Sequence, residues 1–384
     1  MQKPTFIIFI DWYLPAYKAG GPVQSVSNIV ARLKNQVQFK IITSAYDLNE
    51  TQTLPNIEIN CWTKAPDGTD IYYLDKGAAN YSNVKKLLSS LHFDGIYLNS
   101  FFSIPFTLYP INIVNRYYPQ IKIILAPRGM LAAQALQLKA FKKKLFISVV
   151  KVMNLFHNVI WHASTILEQA EIKNVLPQAN VLVALNLSKQ KDVIPKHRTK
   201  TENELRLAFL SRISPKKNLK AVYDYLKAVD TKYKISFTYF GPADDAAYFD
   251  ECKQLFDNLP THITANYGGA IQPDEITNTL QSFHAFILPT LNENFGHAIV
   301  ESWLAGCIAI ISDNTPWQGL VEKGVGYNLP LNQPDSFVSA LESVSRLDQI
   351  NFNSYQNHIY VFAQQIINNN EALEQNVKLF IEAK

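Results

Sequence analysis

The stretch His284-Ala-Phe-Ile-Leu288-Pro289-Thr-Leu-Asn-Glu293-Asn-Phe-Gly296-His297-Ala-Ile-Val-Glu301 changes its hydrophobic period half-way along. His284 to Leu288 is a short apolar run bounded by Pro289, which reads as a buried strand. From Gly296 the pattern is helical and runs to about Ala305. A buried strand, a short polar loop and a helix make the repeating unit of an α/β sheet. Gly296 permits close backbone approach at the helix start. Glu293 falls in the loop, and Glu301 lies eight residues on, inside the helix. A loop carboxylate there can bind hydroxyl groups, and one inside the helix can hold a diol by paired hydrogen bonds. The same two residues also fit a helix-start acid and a surface glutamate.

The alternation extends in both directions. Thr5 to Ile10 is a buried strand, followed by helical spacing of Val23, Val26, Ile29, Val30 and Leu33. Further strands are expected at 39–43, 95–99, 122–126, 158–163 and 180–184. Between about Asn186 and Glu204 the pattern lapses into Lys, Thr, Pro, Arg and Asn, which reads as a linker. A second series starts at Leu205 to Leu210 and continues at 235–240, 263–267, 284–288 and 307–311. From about Asp335 the chain is helical in character. The fold class is therefore α/β, with two doubly wound parallel-sheet domains. The domains are expected at 1–190 and 191–355, with a helical segment at 356–384 that packs back on the first.

The chain has 384 residues, 47% hydrophobic and 18% charged, enough apolar material for two cores. Cys61, Cys252 and Cys307 form neither a disulfide framework nor a CxxC site, which favours a reducing cytoplasm. The N-terminus reads without a targeting signal, and no apolar run approaches the ~18–20 residues of a membrane span. The net charge of +4 is uneven: residues 1–190 hold 19 Lys and Arg against 10 Asp and Glu, and the remainder 17 against 22. A basic front half suits an acidic substrate or an anionic membrane. No zinc-finger spacing or RNP-like pattern points to nucleic acid.

Ligands of open α/β sheets bind beyond the carboxyl ends of the strands, near helix N-termini. Two further loops lie at such ends. Ser211-Arg212-Ile213-Ser214-Pro215-Lys216-Lys217-Asn218 follows the first strand of the second domain. Two cations in that position can hold a diphosphate and stabilise the charge that develops as a phosphate leaves; a solvated basic loop is the plainer reading. Ala19-Gly20-Gly21-Pro22 joins the first strand to the first helix. Its glycines fit either a phosphate approach or a simple turn, since no full GxGxxG is present.

Together these residues resemble the retaining glycosyltransferases of the group-1 family, often called GT4. Arg212 to Lys217 matches the family's Arg-x-x-x-x-Lys loop, Glu293 to Glu301 its Glu-x7-Glu motif, and Gly20-Gly21 its glycine loop. Gly306, Ser312 and Thr315 to Gln318 are similar to relatives that build bacterial surface polysaccharides. The resemblance implies a GT-B fold, with two Rossmann-like domains facing a central cleft. It also implies a nucleotide-diphosphate sugar as donor, of UDP or GDP type, and no resident cofactor or metal; no Asp-x-Asp motif is present. By the same resemblance Arg212 and Lys217 bind the diphosphate, Glu293 the transferred sugar and Glu301 the ribose. Asn294, Phe295 and Gly296 offer backbone N–H groups, and His297 lies beside the phosphates. The base lodges near Tyr267 to Ile271. The implied acceptor is a saccharide, free or lipid-linked, met in the cytoplasm or at the inner face of its membrane.

The chain departs from the family at the end of one first-domain strand, where many members carry a histidine. Here it reads Ala126-Pro127-Arg128-Gly129-Met130. Arg128 fits either a contact with an acidic acceptor or donor phosphate, or a structural turn. His162, Glu168 and Glu171 resemble the segment before the linker, where the glutamates have packing or capping roles. Leu138, Phe141, Leu145, Val149, Val152 and Phe156 recur at helical spacing, with Lys139, Lys142, Lys143 and Lys144 largely off that stripe. Such a helix either packs its stripe on the core or lies on an anionic membrane. Other readings of the whole are an epimerase or phosphorylase of the same fold, or a non-catalytic bilobed sugar-binding protein.

Overall fold

Short runs of apolar, mostly β-branched and aromatic residues build two sheets that are buried on both faces. In the first, β1 (Thr5–Phe9), β2 (Gln38–Ser44), β3 (Trp62–Lys64), β4 (Asp70–Leu74), β5 (Gly95–Leu98), β6 (Lys122–Leu125), β7 (Val159–Ala163) and β8 (Asn180–Val183) lie in the order β3-β4-β2-β1-β5-β6-β7-β8. In the second, β9 (Glu204–Leu210), β10 (Lys234–Phe240), β11 (Ile263–Tyr267), β12 (Ala285–Leu288), β13 (Ile308–Ser312) and β14 (Gly326–Leu329) lie in the order β11-β10-β9-β12-β13-β14. Every pairing is parallel except β3 with β4. The chain is a computed structural model that describes residues 3–137, 140–190 and 196–382. Leu138, Lys139 and part of the expected linker, 191–195, lie outside the described residues.

Strand side chains alternate between faces, so the first sheet makes two cores. Phe6, Ile8, Tyr97, Ile124 and Ile160 pack on one side, and Ile7, Phe9, Leu98, Leu125 and Trp161 on the other. The second sheet is enclosed in a single cluster that includes Phe209, Phe237, Phe286, Ile310 and Trp303. Three strands escape the sequence reading. β3 and β4 form a short antiparallel pair whose Trp62 and Tyr72 stack edge-on at 5.3 Å, without a continuous apolar run. β14 is a half-buried edge strand with only four residues.

The chain forms two units, Met1–Lys189 with Asn370–Lys384, and Gln190–Asn369. The helical segment expected from residue 356 therefore divides further on. The helix Gln349–Ile367 buries Phe352, Ile359, Ala363 and Ile367 in the second unit's core. The helix Asn370–Ile381 instead packs Ala372, Leu379 and Phe380 into the first unit. Phe380 meets Phe6, Phe39 and Tyr97 edge-on at 5.1, 5.3 and 5.1 Å. Asn376 donates to the Leu185 carbonyl at 2.8 Å, and Lys122 to that of Phe380 at 3.1 Å. Among the described residues no helix is long and apolar enough to cross a membrane.

Each sheet reverses its strand order once: at β1/β5 in the first unit and at β9/β12 in the second. Connections leave those neighbours in opposite directions, which opens a crevice at their carboxyl ends.

Phe380→Ala should destabilise the first unit by about 3–5 kcal/mol, the usual cost of emptying an aromatic site in a core. Urea unfolding followed by limited proteolysis should show first-unit peptides released earlier and second-unit peptides unchanged.

Candidate functional site

The β9/β12 crevice carries the charged loops. After β9 the chain passes Ser211 and Arg212, makes a 3₁₀ turn at Pro215–Lys217 and reaches Asn218 in the left-handed region. After β12 it runs through Pro289 and the buried Thr290 to Glu293, and Gly296 starts the helix His297–Leu304. The two loops are tied at the Lys216 carbonyl: Leu291 N–H donates to it at 2.9 Å, and Thr290 Oγ1 to the same oxygen at 3.3 Å. Glu293 N–H donates to Asn314 O at 3.0 Å, and Ser312 Oγ to Thr290 O at 2.6 Å, so the end of β13 supports the loop.

Lys217 Nζ donates to Glu293 Oε2 across the crevice, with side chains only 11% and 18% exposed. Burial on its own would raise the Glu293 carboxyl. The Lys217 ammonium, by charge and hydrogen bond, outweighs that and holds it below its ordinary value, with smaller help from Lys216 and His297. Glu293 is thus an ionised carboxylate in a largely dry place. Arg212 donates to Asp244 Oδ2 at 3.0 Å, and both remain partly exposed. Asn292 Oδ1 and Asn294 Nδ2 are buried without a hydrogen-bond partner, leaving one acceptor and one donor unspent in this loop.

Glycine is required here by geometry. Gly296 has φ +78°, and a Cβ on it would lie 2.7 Å from Ile299 Cδ1 and 3.1 Å from Glu293 Cγ. Gly241, just after β10, has φ +132°, and a Cβ there would fall 1.8 Å from Ser211 O. The strand end that bears Arg212 can therefore sit against β10 only with glycine at 241.

The remaining second-unit candidates lie on the same edge. Tyr267, at the end of β11, donates its hydroxyl to Gly241 O at 2.8 Å and is 41% exposed; Ile271 packs partly buried against the core. His297 lies 4.8 Å from the Phe295 ring, and Trp317 donates its indole N–H to the Phe295 carbonyl. Glu301 is the fifth residue of the helix His297–Leu304 and is half-buried. Trp317 falls in the Thr315 to Gln318 segment noted in the sequence, whereas Asp244 and Asn314 were not singled out. Each acts by a single long-range contact that no spacing announces.

The first unit holds the other candidates. Gly20 has φ +70° and precedes the helix Gly21–Leu33, with Pro22 in its first turn. The buried Asp47 accepts from Tyr17 N–H at 3.0 Å and Lys18 N–H at 3.2 Å, which fixes this glycine loop from β2's far side. Arg128, at φ +53°, is not a solvated turn residue. Its guanidinium donates to Asn186 Oδ1 at 2.7 Å, Tyr97 OH at 2.7 Å and Asn99 Oδ1 at 3.2 Å. His162 Nε2 lies 2.8 Å from the Ala184 carbonyl, which can only accept, so Nδ1 accepts the Tyr97 O–H at 2.7 Å. Burial, with the nearby Arg128 charge, lowers the His162 pKa to about 3, and burial raises that of Tyr97 to about 12, so this chain keeps one proton arrangement at neutral pH. Glu168 completes the support by accepting from Gly129 N–H at 2.6 Å and from Ser164 N–H and Oγ, both at 2.7 Å.

Residues 190–359 match the family model described as glycosyl transferases group 1. Among curated protein sequences none matches the chain. Solved structures do. HepE of Anabaena in complex with UDP and glucose is 13% identical, with 99% of this chain and 100% of that one covered at a TM-score of 0.68. Sucrose-phosphate synthase of Thermosynechococcus elongatus is 12% identical, with 99% of each chain covered at a TM-score of 0.73. A TarM variant of S. aureus with fondaparinux, α-GlcNAc-glycerol and UDP is 12% identical, with 98% and 100% covered at a TM-score of 0.69. At such identities the likeness is one of fold: two parallel-sheet domains of the GT-B type.

Lys217→Met should leave Glu293 without its cation, raise the carboxyl's pKa and cost the second unit about 2–3 kcal/mol at pH 7. A carboxylate with a depressed folded-state pKa stabilises above its unfolded value and loses that stabilisation as pH falls through the folded one. The difference between variant and wild type in urea unfolding should therefore shrink below about pH 4. A gap that stays constant from pH 7 to pH 3 would mean that the pair contributes no charge-dependent stability.

Proposed function

Since residues 190–359 match the group 1 glycosyl transferase model, we propose that the chain moves a sugar from a nucleotide-diphosphate sugar to a saccharide acceptor with retention at the anomeric carbon. The reading is carried by the β9/β12 crevice, where Lys217 is paired with the ionised Glu293 and Arg212 with Asp244 on loops at a strand reversal. In this proposal Arg212 and Lys217 hold the diphosphate and neutralise the leaving group, so that no metal ion is needed. Glu293 contacts the transferred sugar and Glu301 the ribose. The backbone amides of Asn294, Phe295 and Gly296 and the imidazole of His297 face the phosphates and sugar, and the base lies near Tyr267 to Ile271. Gly20 and Gly21 leave open space beside the first unit's loop, which suits a phosphate.

The bond from the anomeric carbon to the phosphate oxygen breaks, and one to the acceptor oxygen forms on the same face. The acceptor's proton passes to the leaving phosphate, which is why no separate base is assigned. Charge stabilisation and positioning then supply most of the acceleration. HepE structures with UDP and glucose or UDP-glucose, and TarM with UDP, favour a UDP-type donor. The acceptor is a lipid-linked saccharide of polysaccharide assembly, met at the inner face of the cytoplasmic membrane, where a basic first unit suits an anionic surface. Arg128 is a positioning residue of the acceptor side, because its guanidinium is already engaged by Asn99, Asn186 and Tyr97.

Slow donor hydrolysis with EDTA present, over UDP-, GDP- and dTDP-sugars, tests the donor site. Release of one nucleotide should fall about 10- to 100-fold in Arg212→Ala and stay unchanged in Lys253→Ala. Equal rates in both variants, or no donor bound in a titration, would sink the assignment. Glu293→Gln should lower turnover at least ~100-fold, yet bind the bare nucleotide diphosphate as well or better, because Lys217 no longer has to leave a carboxylate. Weaker nucleotide binding in that variant would show that the pair supports the site rather than competing with the ligand.

A further inference from the structure

The helix Ala140–Val152 faces the core with one side and presents an uncovered apolar side. Val150 is buried, and Phe146 and Ile147 pack against the first unit's core. On the opposite side Phe141 is 80% exposed, Leu145 57%, Val149 47% and Val152 88%. At about 100° per residue these four fall within roughly 80° of arc, so they make one stripe along the helix. Met153, 60% exposed, extends its end. Of the stripe that the sequence offers, Phe141, Leu145, Val149 and Val152 are thus on the surface, Phe156 packs against the core, and Leu138 lies outside the described residues.

Charge frames the stripe. By the same helical geometry exposed Lys142 lies along one flank, and exposed Lys144 and Lys151 along the other. Lys143 is held inward, donating to the Ala135 carbonyl at 2.5 Å and lying 5.2 Å from the Phe102 ring centre. The segment of chain that contains the helix is also free of the opposite sign. From Gly95 to Leu167, 73 residues, there is no Asp or Glu, against eight Lys and Arg. A stripe of apolar side chains between rows of lysine, without local acids, matches the layering of an anionic lipid surface: acyl chains below, phosphates at the level of the ammonium groups. A protein partner or a second copy of this basic face would have to bring its own carboxylates.

We propose that the helix Ala140–Val152 docks the first unit on anionic phospholipid, with Phe141, Leu145, Val149 and Val152 inserted and Lys142, Lys144 and Lys151 at the headgroups. This rests on the glycosyltransferase reading only for what the membrane would present; the docking itself is independent of it.

The test is co-flotation of the whole chain with vesicles of phosphatidylglycerol and phosphatidylcholine, against phosphatidylcholine alone. Wild type should float with the anionic vesicles only, and less at raised salt. Phe141→Ser with Val152→Ser, and separately Lys142→Gln with Lys144→Gln and Lys151→Gln, should each reduce the floated fraction at least ~10-fold. Ile350→Ser, an equally exposed apolar site of the second unit, should leave it unchanged. Nucleotide binding should persist in all variants; its loss in wild type would count against the donor site and not against docking. Equal flotation of the stripe variants, or equal flotation on neutral vesicles, overturns the proposal. So does a concentration-dependent dimer in ultracentrifugation, abolished by Phe141→Ser without any vesicle binding, which would give the stripe to a second copy.

Discussion

Where β9 and β12 lie side by side, the chain leaves them in opposite directions, and no helix can cover the gap at their carboxyl ends. Two charge pairs, Lys217 with Glu293 and Arg212 with Asp244, lie on the loops beside that gap. One loop must carry cations and the other a carboxylate, because a single buried charge would cost several kcal/mol and a matched pair far less. Lys217 and Glu293 meet this constraint in the free protein. Their pairing also keeps Glu293 ionised where burial would have neutralised it. The hydrogen bonds from Leu291 N–H and Thr290 Oγ1 to the Lys216 carbonyl set the loops at a fixed distance, so the pair does not have to organise the site by itself.

The first unit instead engages its charged Arg128 with neutral acceptors. Arg128, Tyr97 and His162 form a line of donors and acceptors in which each proton has one place, ending on a backbone carbonyl. Such a line holds the ends of β5, β6 and β7 in register without a counter-charge. Glu168 anchors the turn at Gly129 from beneath. The arginine's charge is thus held by amide and phenol oxygens.

Much of this could be read from the chain. Continuous apolar runs such as Ala285–Leu288 and Ile308–Ser312 announce buried parallel strands, and the Glu293 loop shows its change of period plainly. The strands that escaped, β3, β4 and β14, lie toward or at the sheet edges, where alternation is weak and length is short. The site residues on strand ends were legible because charge in such places is expensive. Asp244, Asn314 and Asp47 were not, since each is defined by a contact across more than twenty residues rather than by spacing. The helix Ala140–Val152 failed for another reason: its apolar residues occupy both sides, and periodicity alone does not say which side meets the core.

The second unit interrupts the first, whose last helix comes only after residue 369. During synthesis Phe6, Phe39 and Tyr97 therefore wait, with an open face, until Phe380 has been made. The second unit, contiguous from Gln190 to Asn369, has all its strands available earlier. Vectorial synthesis thus imposes an order on assembly: the later-encoded unit is able to close first, and the earlier-encoded one keeps an open face until its last helix has emerged. A premature stop that spared the whole charged site would still leave the protein with half of its architecture unsealed.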